Sequence, residues 1–536
     1  MKQILYLLLG CLIPFQFLTA KVYSSPERTP VDYVNPYIGN ISHLLVPTYP
    51  TVHLPNSMLR IYPERENFTG NTINGLPLIV TSHRGSSAFN LSPYQGELQK
   101  AGSIIQYGYD NEVIKPYYYS VDLDDDGIYV QYAPSHQSGI YQIDFSQTDK
   151  PAYLIFNTRD GELKTDGKSI SGYQKLGNHT QVYIYLETDQ QPLKIGTHQG
   201  AVIRTTDKST QGHNAYYILE YPKGTASVLL RYGVSFISSE QAKQNLRREI
   251  KNYNLQAVAD KGRSVWNETL GKIFVKGGTE NEKTVFYTSL YRTYERMICI
   301  SEDGRYFSAY DGQVHDDEGI PFYVDDWIWD TYRATHPLRL IIETEMESNM
   351  VNSLIRMAYQ MQPNWMPTFP EINGDSRRMN CNHGVATVLD AYNKGMRSFD
   401  LAKAYQVCKA AITEKTLAPW SSKPAGVLDQ FYKDHGYFPA LAVGEQETVP
   451  EVHSWERRQP AAVTLGTVYD EWCLGNIAQA LGDKKEADYF LKRSLNYHKI
   501  FNKETCFFHP KDSFGNFIQP FDYRYSSGVG GRDAYD

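Results

Sequence analysis

The sequence predicts a multidomain β + α chain: an antiparallel β-sandwich on the N-terminal side, then an α/α toroid that is incomplete at its C-terminal end. Three observations carry this expectation. The chain has 536 residues and 61.3 kDa, more than one hydrophobic core normally serves. From about Val31 to Ser238, short runs of alternating apolar and polar residues follow one another with Gly, Asp or Pro between them and no helical stretch intervening, which is the pattern of an antiparallel sandwich. After Thr279 the apolar spacing changes to i, i+3, i+4, the period of helices. The expected divisions are residues 1–20 (leader), 21–238 (sandwich), 239–278 (connector helix region) and 279–536 (toroid).

The leader is Met-Lys, then the apolar run ILYLLLGCLIPFQFL, then Thr19-Ala20: one positive charge, a short apolar run and a small residue, the layout of an export signal cleaved near Ala20. Lipid attachment at Cys11 is the alternative. Either way the chain is expected outside the cytoplasm, in a periplasm or the extracellular medium. No later segment has the uncharged apolar length of a membrane span. The five cysteines after the leader, Cys299, Cys381, Cys408, Cys473 and Cys506, have no CxxC spacing and read as buried free thiols.

In the sandwich region, YYYSVDLDDDGIYVQYA places strands on both sides of an Asp-Gly turn. KPAYLIFNT, QVYIYLET, NAYYILEY and ASVLLRYGVSFI are further strands. Residues Ser239 to Leu270 read as one amphipathic connector helix. Beyond it, NEKTVFYTSLYRTYERMIC, DDWIWDTYRATHPLRLIIETE, ESNMVNSLIRMAYQM and HGVATVLDAYNKG read as helices. So do SFDLAKAYQVCKAAITE, PAAVTLGTVYDEWCLGNIAQALG and DKKEADYFLKRSLNYHKIF. They number seven or eight, too few to close a ring of six hairpins.

Composition narrows the function. Lys+Arg 53 against Asp+Glu 60 gives a net charge of −7, which disfavours a protein that coats nucleic-acid phosphates. The 42 Tyr against 22 Phe, with 7 Trp, suit both sheets and sugar-binding grooves, since Tyr carries a flat apolar face and a hydroxyl. Asp122-x-Asp124-x-Asp126-Gly127 looks like the start of a calcium loop, but its twelfth position is Ala133 rather than Glu, and a solvated hairpin turn explains it better. Gly528-x-Gly530-Gly531 precedes no helix, and no Walker loop, GxSxG or HExxH is present. Three acid–aromatic clusters remain. The first, Val324 to Arg333, holds Asp325, Asp326, Trp327, Trp329, Asp330 and Arg333. Asp325 or Asp326 can cap a helix there, and Asp330 shares a face with Asp326 and Arg333, as an intrahelical ion pair or as sugar contacts beside a stacking Trp. The second holds Asn364, Trp365, Glu371, Asp375, Arg377, Arg378, Asn382 and His383. The third is Tyr469-Asp470-Glu471-Trp472.

With these residues in view the sequence resembles glycoside hydrolase family 92, the calcium-dependent exo-acting α-mannosidases. The matching segments are VDYVNPYIGN, FYTSLYRTYERM, DGRYFSAYDGQVH, WDTYRATHPL, NCNHGVATVLDAYNKG, VYDEWCLGNIAQALG and ETCFFHPKDSFGNFIQPFD, in the family's order from residue 31 onward. The resemblance implies the two architectures above, a mannose-containing glycan (an α-mannoside or N-glycan) as substrate, calcium as cofactor, and inverting hydrolysis. Trp329 and Asp330 become sugar contacts by their match to the WDTxR segment, with Arg378 and His383 lining the funnel. The stretch after VNPYIGN departs from the family's Gly/His-rich pattern.

The family's general acid, in a motif just beyond the match to Gly530–Asp536, and its base and much of its calcium site are expected C-terminal to Asp536. No residue of this sequence is therefore assigned as catalytic. The chain alone is expected to be inert, its main calcium ligands absent, with an exposed apolar flank that a complementing C-terminal fragment would cover. Two alternatives stand beside this: an inert glycan-binding protein, and another α/α-toroid carbohydrate enzyme with its acid among Asp330, Glu371 or Asp470.

Overall fold

The computed structural model describes residues 28–41, 48–65, 69–81, 87–123, 127–147, 149–199, 202–442 and 444–522. The expected leader with Cys11, the residues Asp124 to Asp126 of the hairpin turn, and the Gly528–Asp536 loop lie outside the described residues.

The amino-terminal half is an antiparallel β-sandwich. Strand Ala152–Thr165 is its hub. The first half of this strand pairs with Ser87–Gln95, the second half with Ser169–Gly177, and nearly its whole length with Ser209–Tyr221. From Ser169–Gly177 the sheet continues through Thr180–Thr188, Ser227–Ser235, Ser138–Phe145, Ile128–Pro134, Tyr118–Leu123 and Gln106–Lys115. The pairing Leu123↔Ile128 bears out the hairpin read around the Asp-Gly turn.

Tyrosine excess has a structural cause here. Tyr132, Tyr141 and Tyr232 are fully buried on adjacent strands, and a buried hydroxyl needs a partner. Tyr141 and Tyr232 reach strand Leu76–Val80, donating to Pro77 O and Leu78 O, both at 2.7 Å, while the hydroxyls of Tyr132 and Tyr232 lie 3.2 Å apart. Removing one such hydroxyl by Tyr232→Phe should cost about 1 kcal/mol, read as a lowered urea midpoint with unchanged slope. An unchanged midpoint would show that the hydroxyl does not stabilise the sandwich.

The connector is two helices rather than the one expected. Ser239–Glu249 and Leu255–Leu270 are separated because Asn254 leaves helical geometry and caps the second, its side chain accepting from Ala257 N at 3.0 Å. Trp266 on the second helix is buried and donates its indole N–H to His53 O at 2.8 Å, pinning the helix to the sandwich.

The second half is helical, with helices Glu280–Thr293, Thr344–Gln360, Gly384–Asn393, Leu401–Thr413, Pro460–Ala480 and Lys484–Arg493 where periodicity expects them. Helix Pro460–Ala480 packs against Gly384–Asn393, Leu401–Thr413 and Lys484–Arg493, so it is buried on several sides. Three features differ from expectation. A β-hairpin, Arg305–Ser308 with Gln313–Asp316, interrupts the helical pattern. Helix Val427–His435 was not expected. The segment DDWIWDTYRATHPLRLIIETE is a short turn of helix, Ile328–Thr331, followed by Thr335–Ile342, rather than one helix. Cys381, Cys408 and Cys473 are buried as expected, Cys299 is partly buried, and Cys506 is exposed, against expectation. No helix among the described residues is long and apolar enough to cross a membrane.

Candidate functional site

The segment between Val324 and the helix Ile328–Thr331 breaks helical geometry because its two acids are used elsewhere. Asp325 takes a left-handed φ of 69° and turns inward. Its carboxylate binds Arg60 of the amino-terminal half at 2.5 Å and Arg296 at 2.9 Å, and it is buried, so this ion pair crosses the seam between the two halves. Neither acid caps the helix. The cap position falls on Trp327, whose side chain makes no capping bond.

Asp326 accepts from the Thr331 hydroxyl at 2.9 Å and from His336 Nε2 at 2.8 Å, and His336 Nδ1 donates to Glu347 Oε1 at 2.7 Å. All three groups are fully buried. Burial disfavours the charged imidazole, but Glu347 and Asp326 outweigh it and push its pKa up to about 10. Both ring nitrogens thus face carboxylates, an arrangement that favours the imidazolium form inside the helical core.

Above this buried triad sit the sequence-selected pair. Trp329 is half-buried and donates its indole N–H to Asn380 at 3.1 Å, while Arg333 lies over its ring at 5.2 Å. The expected Asp330–Arg333 ion pair does not form, because the guanidinium packs on Trp329 and Tyr332 instead. Asp330 is solvent-facing, and surrounding protein followed by the charge of Asp326 raises its carboxyl pKa against the opposing pull of Arg333. Its carboxyl makes no ion pair among the described residues, which leaves it open to a ligand hydroxyl.

The loop before helix Gly384–Asn393 is shaped by Asp375, which accepts from the backbone N–H of Thr368 (3.1 Å), Phe369 (2.9 Å) and Arg377 (3.0 Å). Arg377, Met379 and Cys381 then all take left-handed φ values, of 51°, 67° and 69°. Bulky residues adopt that region at a cost of order 1–3 kcal/mol each, which concentrates at functional loops. The loop sits directly on helix Pro460–Ala480. A Cβ on Gly466 would lie 1.9 Å from Cys381 Sγ, so only glycine permits the approach. Arg378 pairs with Glu371 at 3.4 Å and lies over Trp420 at 5.8 Å. His383 is buried, with Nδ1 at 2.7 Å from Asp470 and its ring 4.3 Å from that of Tyr332.

A cavity of about 350 Å³ lies at the seam, between Ser87, Arg159, Gln174 and Lys175 of the sandwich and Asp325, Glu371, Asn373 and Arg378 of the helical half. That volume is within the range of small-ligand sites. Of the residues selected from sequence, Arg378 lines it. Trp329 and Asp330 stand on an adjoining segment, tied to the 377–383 loop through Asn380, and His383, packed on Tyr332, lies outside the cavity wall. A second cavity, about 370 Å³, opens among the outer helices and is bordered by the ion pairs Lys409–Glu486 and Arg493–Glu471. The seam is the stronger candidate because both halves of the chain and two of the sequence-selected clusters converge on it.

Sequence reasoning missed Arg60, Arg159, Lys175, His336, Glu347 and Trp420. The one local signal was the His336-Pro337 pair downstream of the WDT segment; the others meet only through tertiary contacts. For calcium the fit is poor. Among the described residues no group of three or more His, Cys, Asp or Glu is arranged to hold a metal, and Asp325 and Glu371 are both engaged by arginines.

A β-sandwich joined to a helical half, with a polar cavity between them and Trp329 on an adjoining segment, is the architecture of a carbohydrate-active protein. The glycosyl hydrolase family 92 N-terminal domain matches residues 33–235 and the family's catalytic domain matches residues 241–535, so the chain belongs to glycosyl hydrolase family 92. Its fold is similar to a family GH92 inverting mannosidase of Bacteroides thetaiotaomicron VPI-5482, with a TM-score of 0.81 and 25% identity over 92% of this chain and 68% of that one. A GH92 α-mannosidase of Bacteroides thetaiotaomicron, solved with mannoimidazole, gives a TM-score of 0.80 and 22% identity over 92% of this chain and 67% of that one. An uncharacterized secreted glycosidase of Arthroderma benhamiae is 23% identical over 97% of this chain and 68% of its own length.

Proposed function

We propose that the chain is an exported α-mannosidase of its family, removing terminal mannose from α-mannosides or N-glycans with inversion at the anomeric carbon. The observation that carries this reading is the seam cavity with Trp329 and Asp330 beside it. A pyranose needs an apolar face to stack on and carboxylates to take its hydroxyls, and these residues offer both. Asp330 takes sugar hydroxyls, Trp329 takes the ring face, Arg378 contributes donors from the cavity wall, and His383 packs on Tyr332 of the WDT segment. The family relationship, a leader of export type and the secreted description of the fungal relative support the location.

Inversion needs a proton donor and a water-activating carboxylate roughly 6.5–9.5 Å apart on opposite faces of the bond. In this reading both come from outside the described residues. Asp325 is held by two arginines, Glu371 by Arg378, and Asp470 by His383 and the Asn382 amide. Among the described residues calcium finds no ligand set.

The test is to give the purified chain mannobioses and follow both binding and the anomer released by NMR. Binding with β-mannose as first product supports the proposal and overturns the expectation of an inert chain, whereas α-mannose overturns inversion, and absence of mannoside binding overturns the reading. Turnover abolished by Asp330→Asn, Glu371→Gln or Asp470→Asn would place the acid among the described residues. Because Asp325, Glu371 and Asp470 are engaged, a glycan-binding role without turnover is the second reading, identified by binding with no mannose released. Trp329→Ala should weaken mannoside affinity about tenfold by removing the stacking face, measured by calorimetry.

A further inference from the structure

From Arg378 on the wall of the seam cavity, two tryptophans lead outward to the surface. Arg378 lines the cavity and packs on Trp420 at 5.8 Å. Trp420 in turn lies 5.8 Å from Trp455 and 5.4 Å from His453. Trp455 is 60% exposed, a large apolar ring face presented to solvent at the end of a path that starts at the cavity wall. Exposed indole contiguous with a polar cavity is the surface chemistry that stacks on the C–H face of a sugar.

The platform is held in place. Trp420 takes a left-handed φ of 57°, as do Arg457 at 61° and Gln459 at 45° on the loop that carries Trp455. That loop is anchored on both sides of the ring. His453 Nδ1 accepts from the backbone N–H of Trp455 and Glu456 at 3.3 and 3.2 Å, and the Gln459 side chain donates to Glu456 at 2.6 Å. Gln459 also accepts from Asn380 at 2.7 Å, and Asn380 accepts from the Trp329 indole. Trp329 and the Trp455 loop are thus joined by two consecutive hydrogen-bonded side chains, which fixes one stacking surface relative to the other. A pre-set surface binds with less ordering cost than a mobile loop.

We propose that Trp420 and Trp455 form a stacking platform for the sugar on the leaving-group side of the bond, so that two linked pyranoses, rather than a lone mannoside, are the preferred ligand. This rests on the mannoside reading above and extends it to specificity. The first sugar occupies the seam beside Trp329 and Asp330, and the second lies against Trp420 and Trp455.

Calorimetric titrations of the whole chain with methyl α-mannopyranoside and with α-1,2-, α-1,3- and α-1,6-linked mannobioses test it. At least one mannobiose should bind about tenfold more tightly than the methyl glycoside. Trp455→Ala should erase that advantage while leaving methyl mannoside affinity unchanged, and Trp455→Phe should restore most of it. Trp455 is exposed, so its replacement leaves folding intact, and protection of indole fluorescence from iodide by mannobiose gives a second readout on the wild-type chain. Equal affinities for mannobiose and methyl mannoside in the wild type, or a Trp455→Ala variant with the full mannobiose advantage, overturn the platform alone. A wild-type chain that binds neither class of mannoside overturns the reading beneath it, and the platform with it.

Discussion

Replacing His336 with Gln should lower the melting temperature of the helical half by roughly 10 °C, a loss of about 3–5 kcal/mol. The cause is charge, not volume. His336 sits between Asp326 at 2.8 Å and Glu347 at 2.7 Å, all of them buried, and a neutral amide would leave two buried carboxylates facing one another. The same site sets a pH dependence. Unfolded His336 releases its proton near 6.5, while the folded group holds it to about 10. The folded state therefore binds the extra proton in that window, and this contribution to stability is complete below pH 6.5 and lost as pH rises toward 10. Calorimetry of wild type from pH 6 to 10 should show a fall that His336→Gln lacks. Parallel pH curves for the two proteins would show that the imidazole is neutral in the fold. Asp326 lies under Asp330 and helps raise its pKa, so the variant should also alter mannoside binding through the WDT segment.

Asp325→Ala should be the other severe substitution. It strands the guanidinium of Arg60, 1% exposed, and frees that of Arg296, which now packs over Trp327 at 4.2 Å. Removing one partner of a buried ion pair costs about 3–5 kcal/mol, because the remaining charge stays desolvated. Here the lost contact also joins the amino-terminal half to the helical half and walls the seam cavity. Two separated unfolding transitions are expected by calorimetry, together with at least tenfold weaker mannoside binding. Arg60→Met added to Asp325→Ala should recover part of the stability by removing the stranded cation. A single variant melting within about 1 kcal/mol of wild type would show that the seam is held by apolar packing instead.

Strands were readable because their period is local. The alternating runs AYLIFNT, QVYIYLET and SVLLRYGVS each became a strand, and the tyrosines that make the composition unusual became the hydroxyls that bridge the sandwich. Helices with one apolar face, such as Thr344–Gln360 and Leu401–Thr413, were equally visible. The WDT segment was not, and the reason is competition. Its apolar spacing suits a helix, yet Asp325 and Asp326 gain more from Arg60, Arg296 and His336 than from capping one, so the helix shortens to Ile328–Thr331. Likewise the Asp330–Arg333 pair that spacing allows gives way to a guanidinium stacked on Trp329.

From residue order alone came the two-part architecture, the family resemblance and the choice of Trp329 and Asp330, since hydrophobic period and motif are properties of neighbours along the chain. Which carboxylates are engaged by arginine, which histidine is held between two carboxylates, and that a cavity opens between Lys175 and Glu371 were settled only when distant segments met. Burial changes the strength of every charge interaction, and burial is a property of the packed molecule rather than of the string of residues.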